Sequence, residues 1–416
     1  MSQTTMTTTS DSSSVFADLA PTFDRLRAAV KAVLDTRPKA ASGARACARE
    51  FGFDKSIGWK VFQIGYSTDF VTALSAMPGA RGWEIVLSKF AASRAGESAV
   101  NDVAAALAAF ERQLAERRID RSMLSGMAAA VVDTDESRRQ MLRLRKQASD
   151  AMAVILGVHA SARIGAYLVV PSKSGGNMAD LAALTLVEGL ERRRPGPPWP
   201  LFSPIFHFDA KGSPIVGKGA PLTDSPRAPM VCDLGSVGVL ENEIAPSDIT
   251  PGAFWFVGRS ASRTDPLTVC FGEHSPAVGP LVKQGAEKLC EFSMPVTVPT
   301  TVSVLDILIH RDVRRTGDVH AELHASGIVA RTNRSTRDQL RLSLEASVSR
   351  PASLHLADVA HSTNATYAEL CRLGAEKLGC AIDAFEIHRV VVSHPPVPCT
   401  VTMWWELAEQ TAVAGG

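Results

Sequence analysis

The chain has 416 residues, 45% of them hydrophobic and 21% charged, with 44 basic side chains against 43 acidic ones. That length supports two or three domains with sizeable cores. The near-neutral balance excludes a protein coated in nucleic acid, and no stretch reaches the ~20 apolar residues of a membrane span, so no membrane partner is expected.

Residues 1–14 form a polar Ser/Thr tail that cannot bury a core and is expected to be disordered. They lack the basic start and apolar run of a secretory signal. The seven cysteines, Cys47, Cys232, Cys270, Cys290, Cys371, Cys380 and Cys399, show no C-x-x-C pair and no zinc-ligand spacing to a His. A reduced, cytoplasmic protein is expected.

The first half reads as helical. Residues 21–34 carry Phe23, Leu26, Val30, Val33 and Leu34 on one side. Residues 44–66, ARACAREFGFDKSIGWKVFQIGY, read as two short helices around a tight turn. Ala44, Cys47, Ala48 and Phe51 give the first helix a narrow apolar face. Gly52 stands where a helix end needs a left-handed residue, and Asp54 stands where the next helix needs a cap. Ile57, Val61 and Ile64 then recur at i, i+4, i+7, with Lys55, Ser56, Lys60 and Gln63 on the opposite face.

Ala48, Gly52 and Val61 match three signature positions of the helix-turn-helix of bacterial regulators, and the segment resembles that motif. Gly58 departs from it, because a branched aliphatic usually sits there, and Trp59 is unusually large beside the exposed face. The resemblance implies duplex DNA as partner, with the second helix in the major groove. Lys55 and Lys60 would reach phosphates or guanine, Gln63 adenine, and Ser56 would lie among them. Between residues 15 and 66 there are nine basic and five acidic side chains, a local excess suited to a duplex. The same pattern fits a structural hairpin of two amphipathic helices.

Further along, residues 83–90 read as an apolar helical turn. Residues 99–118 form an amphipathic helix through Val103, Leu107, Phe110 and Leu114, and residues 138–158 form another with a basic start. Their apolar faces are candidate surfaces for a homodimer, or a tether packed inside one chain. The texture changes near Ile164. Residues 166–170 read as a strand and residues 178–194 as a helix closed by a basic end. Short apolar runs at 205–208, 230–234, 253–257, 267–271 and 303–309 carry strand signals. Residues 365–378 read as a late helix, and 386–392 and 401–407 as closing strands.

Complete catalytic signatures are missing. His310-Arg311-Asp312 resembles the catalytic loop of protein kinases, but Gly317 replaces the metal-binding Asn, and neither D-F-G nor a glycine-rich loop accompanies it. The simpler reading is a polar strand end with Asp312 bridging Arg314 or Arg315. His320 and His324 are four apart, as metal ligands on a helix would be, with Glu322 between them, but the Glu of H-E-x-x-H is replaced by Ala321. Gly217-Lys218-Gly219 is too short for a P-loop. Neither a cofactor nor a metal is expected, and no catalytic residue is assigned.

The expected fold class is α+β: an N-terminal all-helical helix-turn-helix region followed by a mixed α/β domain. The expected division is a tail at 1–14, a DNA-binding domain at 15–95, a helical connector at 96–160 and a sensing or partner-binding domain at 161–416. Arg-rich segments at 311–315 and 331–341 would meet an anionic ligand or an acidic protein surface, or be solvated loops, which is the reading expected for 331–341. The function expected is a transcriptional regulator rather than an enzyme. The alternatives are an enzyme with its site in the second half, or a subunit of an assembly whose N-terminal helices bind protein.

Overall fold

The computed structural model describes residues 10–409 apart from 94–95, 121–122, 125–126, 128–134, 176, 204–205, 209–213, 217–218, 225–228, 237–242, 249–251, 259–264, 284–288, 326–339, 343, 345 and 357–363. Parts of four sequence expectations therefore lie outside the described residues: positions 1–9 of the tail, 205 of the first short strand, 217–218 of the Gly-Lys-Gly segment, and 331–339 of the second Arg-rich segment.

The described residues contain eight α-helices, seven of them ahead of a sheet-rich region that holds the eighth, which makes the protein α+β. The chain divides into two compact units, Met1–Leu144 and Arg145–Gly416. The first holds α1 (Ser10–Asp35), α2 (Ala44–Phe51), α3 (Lys55–Tyr66), α4 (Phe70–Ser75), α5 (Ala80–Ala92) and α6 (Glu97–Glu116), and the division falls within α7 (Asp135–Leu156). No helix among the described residues is long and apolar enough to cross a membrane.

The first unit has one core. Leu19, Phe23, Leu26 and Val30 of α1 meet Val61 and Ile64 of α3, Phe90 of α5 and Val103, Leu107 and Phe110 of α6. Helix α1 starts at Ser10, so positions 10–14 of the expected tail are helical, and it runs through Pro21. Helix α6 is held to α1 by the Gln113 amide, which donates to the Asp18 carbonyl at 2.8 Å. The apolar stripe of α6 is thus spent inside its own unit, and α6 belongs with α1–α5 rather than with a separate connector.

The second unit is layered. Its strands are β1 (Val158–Pro171), β2 (Met178–Arg192), β3 (Trp199–Phe202), β4 (Phe206–Phe208), β5 (Pro214–Val216), β6 (Ala220–Pro221), β7 (Ile244–Pro246), β8 (Phe254–Phe256), β9 (Leu267–Pro280), β10 (Leu289–Val296), β11 (Thr300–His310), β12 (Arg315–His324), β13 (Val348–Ser349), β14 (Phe385–Ser393) and β15 (Cys399–Leu407). Seven form a central sheet in the order β13-β14-β11-β1-β2-β9-β6. The β1–β11 pairing is parallel and its neighbours are antiparallel.

One face of this sheet carries Ile164, Ala166 and Leu168 of β1 and Leu184 of β2. They pack under Tyr367, Leu370, Cys371 and Ala375 of α8 (Asn364–Leu378). The other face carries Leu305, Ile307 and Val390, covered by Met294, Val401 and Trp405 of the sheet β10-β15-β12. Sheet β3-β8-β7 closes a third cluster around Phe271.

Of residues 178–194, expected as a helix, 178–192 are the strand β2 and 193–194 a bend. The run LAALTLVEGL is rich in helix formers and lacks period-2 alternation, because β2 is buried on both faces between β1 and β9. Arg192 caps no helix. Its guanidinium lies 5.0 Å over the Phe256 ring. Residues 230–234 hold a 3-10 turn, Cys232–Leu234, and an isolated bridge from Met230 to Phe271, rather than a strand.

An ion pair sits in the core between the central sheet and α8. Asp306 of β11 and Arg389 of β14 are register partners, and both are buried. Arg389 Nε and Nη2 donate to the two Asp306 oxygens at 2.8 and 2.6 Å, and Nη1 donates to the His355 carbonyl at 2.7 Å. The Tyr367 hydroxyl donates to the same carboxylate. Burial, with the Asp306 charge beside it, holds the Tyr367 pKa well above that of an ordinary phenol. Breaking such a pair from one side strands the other charge. Asp306→Ala should therefore cost about 3–5 kcal/mol in urea denaturation, whereas Asp306→Leu with Arg389→Met should recover most of that loss. An unchanged midpoint for the single variant would contradict this weight.

Candidate nucleic-acid interface

Local chemistry builds the turn between α2 and α3. Gly52 has φ +67°, its N–H donates to the Arg49 carbonyl, and the Phe53 N–H donates to the Ala48 carbonyl at 2.8 Å. This is the Schellman pattern, whose left-handed position favours glycine. Asp54 Oδ1 then accepts from the Ile57 N–H at 2.8 Å and caps α3. Phe53 packs on Phe51 and Phe90, with ring centroids 5.8 and 5.9 Å away, and pins the turn to α5.

The crossing of α2 and α3 explains Gly58. A Cβ placed on Gly58 would lie 2.4 Å from Ala48 Cβ and 2.8 Å from Ala48 Cα. Real side chains do not approach so closely, so the two helices touch where one lacks a side chain. Helix α1 locks the far end of α3: Arg27 Nε donates to the Ile64 carbonyl at 3.3 Å, and its Nη2 donates to the Ser67 carbonyl. A cation at those last carbonyls also suits the helix dipole.

With Ile57, Val61 and Ile64 turned inward, Lys55 and Ser56 are exposed, and Lys60 and Gln63 are half-buried. The structure therefore brings the four expected site residues to the outward side of one helix. Sequence reasoning missed three neighbours. Arg45 and Arg49 are exposed on α2, and exposed Lys89 of α5 reaches the turn, its Nζ 3.7 Å from where a Gly52 Cβ would be. The spacing of Arg45 and Arg49, one helical turn apart, was the available signal. Among the described residues, Arg45, Arg49, Lys55, Lys60 and Lys89 have no ion-pair or hydrogen-bond partner for their side chains. Lys31, Arg27 and Arg117 of the same unit are neutralised, by Asp35 at 2.5 Å, Asp24 at 3.1 Å and Asp18 at 3.0 Å, whereas exposed Arg25, Lys39, Arg81, Arg112 and Arg118, like the five, have no side-chain partner among the described residues.

The second unit has an open cleft of about 910 Å³, lined by β12, by Arg341, Ala346, Val348 and Arg350, and by His388 and Trp404. Its charges are matched in pairs: Arg350 meets Asp318 at 2.6 Å and Glu386 at 3.6 Å, and Arg341 meets Glu322 at 3.4 Å. His320 stacks on Trp404 at 4.4 Å. Burial pushes the His388 pKa down to about 4, so the imidazole is neutral at pH 7, with Nε2 3.3 Å from Glu386.

His320 and His324 lie on a strand, not a helix. His324 is buried, with Nε2 3.5 Å from Glu322. No group of three or more His, Cys, Asp or Glu among the described residues could hold a metal ion. His310 does end a strand, but Asp312 does not bridge Arg314 or Arg315. Its backbone N–H donates to His310 Nδ1 at 3.2 Å, while Arg315 pairs with Glu386 at 2.9 Å and Arg311 donates to the Asp383 carbonyl. Two of the three arginines in 311–315 are thus already engaged.

No family model matches the chain, and no curated protein or solved structure matches it either.

The contact at Gly58 has a direct test. Gly58→Val should destabilise the first unit by about 1–3 kcal/mol through overpacking. Gly58→Ala should cost less in an Ala48→Gly background than alone. Thermal melting of the four variants decides it, and additive losses would show that the two residues do not compete for one space.

Proposed function

We propose that the Met1–Leu144 unit binds duplex DNA, with α3 lying in the major groove and α2 crossing the backbone. The observation that carries this reading is the set of uncompensated cations, Arg45, Arg49, Lys55, Lys60 and Lys89, around a capped and rigidly crossed α3. Exposed cations without internal partners can exchange their counterions for phosphates, which is the main source of duplex affinity. Lys55, Ser56, Lys60 and Gln63 are the residues that would meet the groove. Of the two helices expected to pair two copies, α7 keeps apolar side chains outside, with Val154 63% and Ile155 58% exposed. The six cysteines whose state is described are free thiols, in keeping with a reducing cytoplasmic setting.

In the same reading the Arg145–Gly416 unit senses a small molecule and so makes the protein a transcriptional regulator. The support is the cleft, whose volume lies in the range of ligand sites. Its charges are already matched, which favours a polar ligand that exchanges with one of these ion pairs over one that fills a bare cationic site.

Two measurements test these roles. Changing Lys55 and Lys60 together to Ala should lower the slope of log affinity against log salt by about 2. Equal slopes, or a parent protein that binds no duplex, would refute the DNA reading. For the cleft, a screened small molecule at about 100 times its Kd should add about 2.7 kcal/mol to thermal stability. That gain should vanish in Arg350→Met. A hit indifferent to Arg350→Met would place the ligand elsewhere.

A further inference from the structure

Trp59 is 42% exposed on α3, and no ring or hydrogen-bond partner accounts for it among the described residues. Its position is specific. Lys55 lies one turn before it and Gln63 one turn after, so it stands in the middle of the outward stripe. The aromatic neighbour Phe62 is half-buried and turned toward Tyr66, with ring centroids 5.1 Å apart. Tyr66 in turn donates to Asp35 at 2.7 Å. These two rings belong to the packing of α1 on α3. Trp59 does not.

An exposed indole flanked by Lys55 and Gln63, on a helix whose Lys55 and Lys60 have no internal partner among the described residues, suits a polyanion that also offers an apolar spot. Duplex DNA offers one. On the base edges of the major groove the one apolar group is the C5 methyl of thymine, and the O4 acceptor lies beside it. An indole matches both features, with an apolar face for the methyl and an Nε1–H for O4. The stripe from Lys55 to Gln63 rises about 12 Å, or roughly three to four base-pair steps, so one central side chain reads one central pair.

Resting on the DNA reading above, we propose that Trp59 is a specificity-determining residue that reads a thymine near the middle of the half-site through its methyl group and O4. It acts by direct contact with the base and neutralises no phosphate. Trp59→Ala should therefore relax sequence preference and leave the salt slope intact, the opposite of the Lys55 and Lys60 changes.

The test uses the full chain. Duplexes are selected from a randomised pool with the parent protein, Trp59→Phe and Trp59→Ala, and the selected site is then resynthesised with deoxyuridine at each thymine in turn. Deoxyuridine keeps O4 and lacks the methyl. One central replacement should weaken the parent about fourfold, the worth of one buried methyl. Trp59→Phe should retain that sensitivity, and Trp59→Ala should lose it. Circular dichroism confirms the fold of each variant; Trp59 lies outside the core, so its truncation opens no cavity. Binding by the parent without any deoxyuridine-sensitive position, or sensitivity that persists in Trp59→Ala, overturns the inference and leaves DNA binding standing. A parent that selects no duplex overturns both, and the exposed indole would then belong to a protein contact.

Discussion

The contact between Gly58 and Ala48 sets what the rest of the first unit presents. Because α3 carries no side chain at that point, α2 can cross it almost at backbone contact. That distance fixes the rotation of α3 about its own axis. Val61 and Ile64 then enter the core, and Lys55 and Trp59 have nowhere to go but outward. Each fully buried aliphatic contributes roughly 1.5–3 kcal/mol, so rotating α3 to hide Trp59 would forfeit more than it gained. The Gly52 turn and the Asp54 cap set where α3 begins, and the crossing sets which way it faces.

The second unit achieves uniqueness by other means. Its central sheet is apolar on both faces, which leaves the stacking order of layers weakly specified by hydrophobicity alone. The buried Asp306–Arg389 pair, with Tyr367 on the same carboxylate, ties β11, β14 and α8 into one arrangement. A register slip of one residue would turn each charge toward the opposite, apolar face. At the cleft, by contrast, the ion pairs are half in solvent and hold less strongly.

How much of this could be read in advance follows from where the information lies. The face of α3 was legible because Ile57, Val61 and Ile64 repeat within one helix, and the cap and the turn glycine are local. The role of Gly58 was not, since its reason lies in Ala48 of another helix. Residues 178–194 misled for a related reason: a strand buried on both faces loses its alternation, and Ala, Leu and Glu then speak for a helix. Only pairing with β1 and β9 overrules them. The four-residue spacing of His320 and His324 suits a helix face equally with one face of a strand. The cleft draws on β12, β14 and β15 and on residues at and around β13, so no window of sequence contained it.

The parallel register of β1 against β11 also bears on how the chain is made. Strand β1 has a near partner in β2, joined by a short connection, but its other neighbour lies about 140 residues downstream. At ribosomal rates of 5–20 residues per second, one edge of β1 waits on the order of ten seconds for that neighbour to be synthesised. Such an edge is a template for pairing with other chains, and β1 is apolar on both sides of it. The helices of the first unit meet one another within the first 144 residues and are complete before the wait begins. The nascent chain thus carries an assembled helical unit while its central sheet still lacks half its strands, and that interval is where chaperones would find the most to bind.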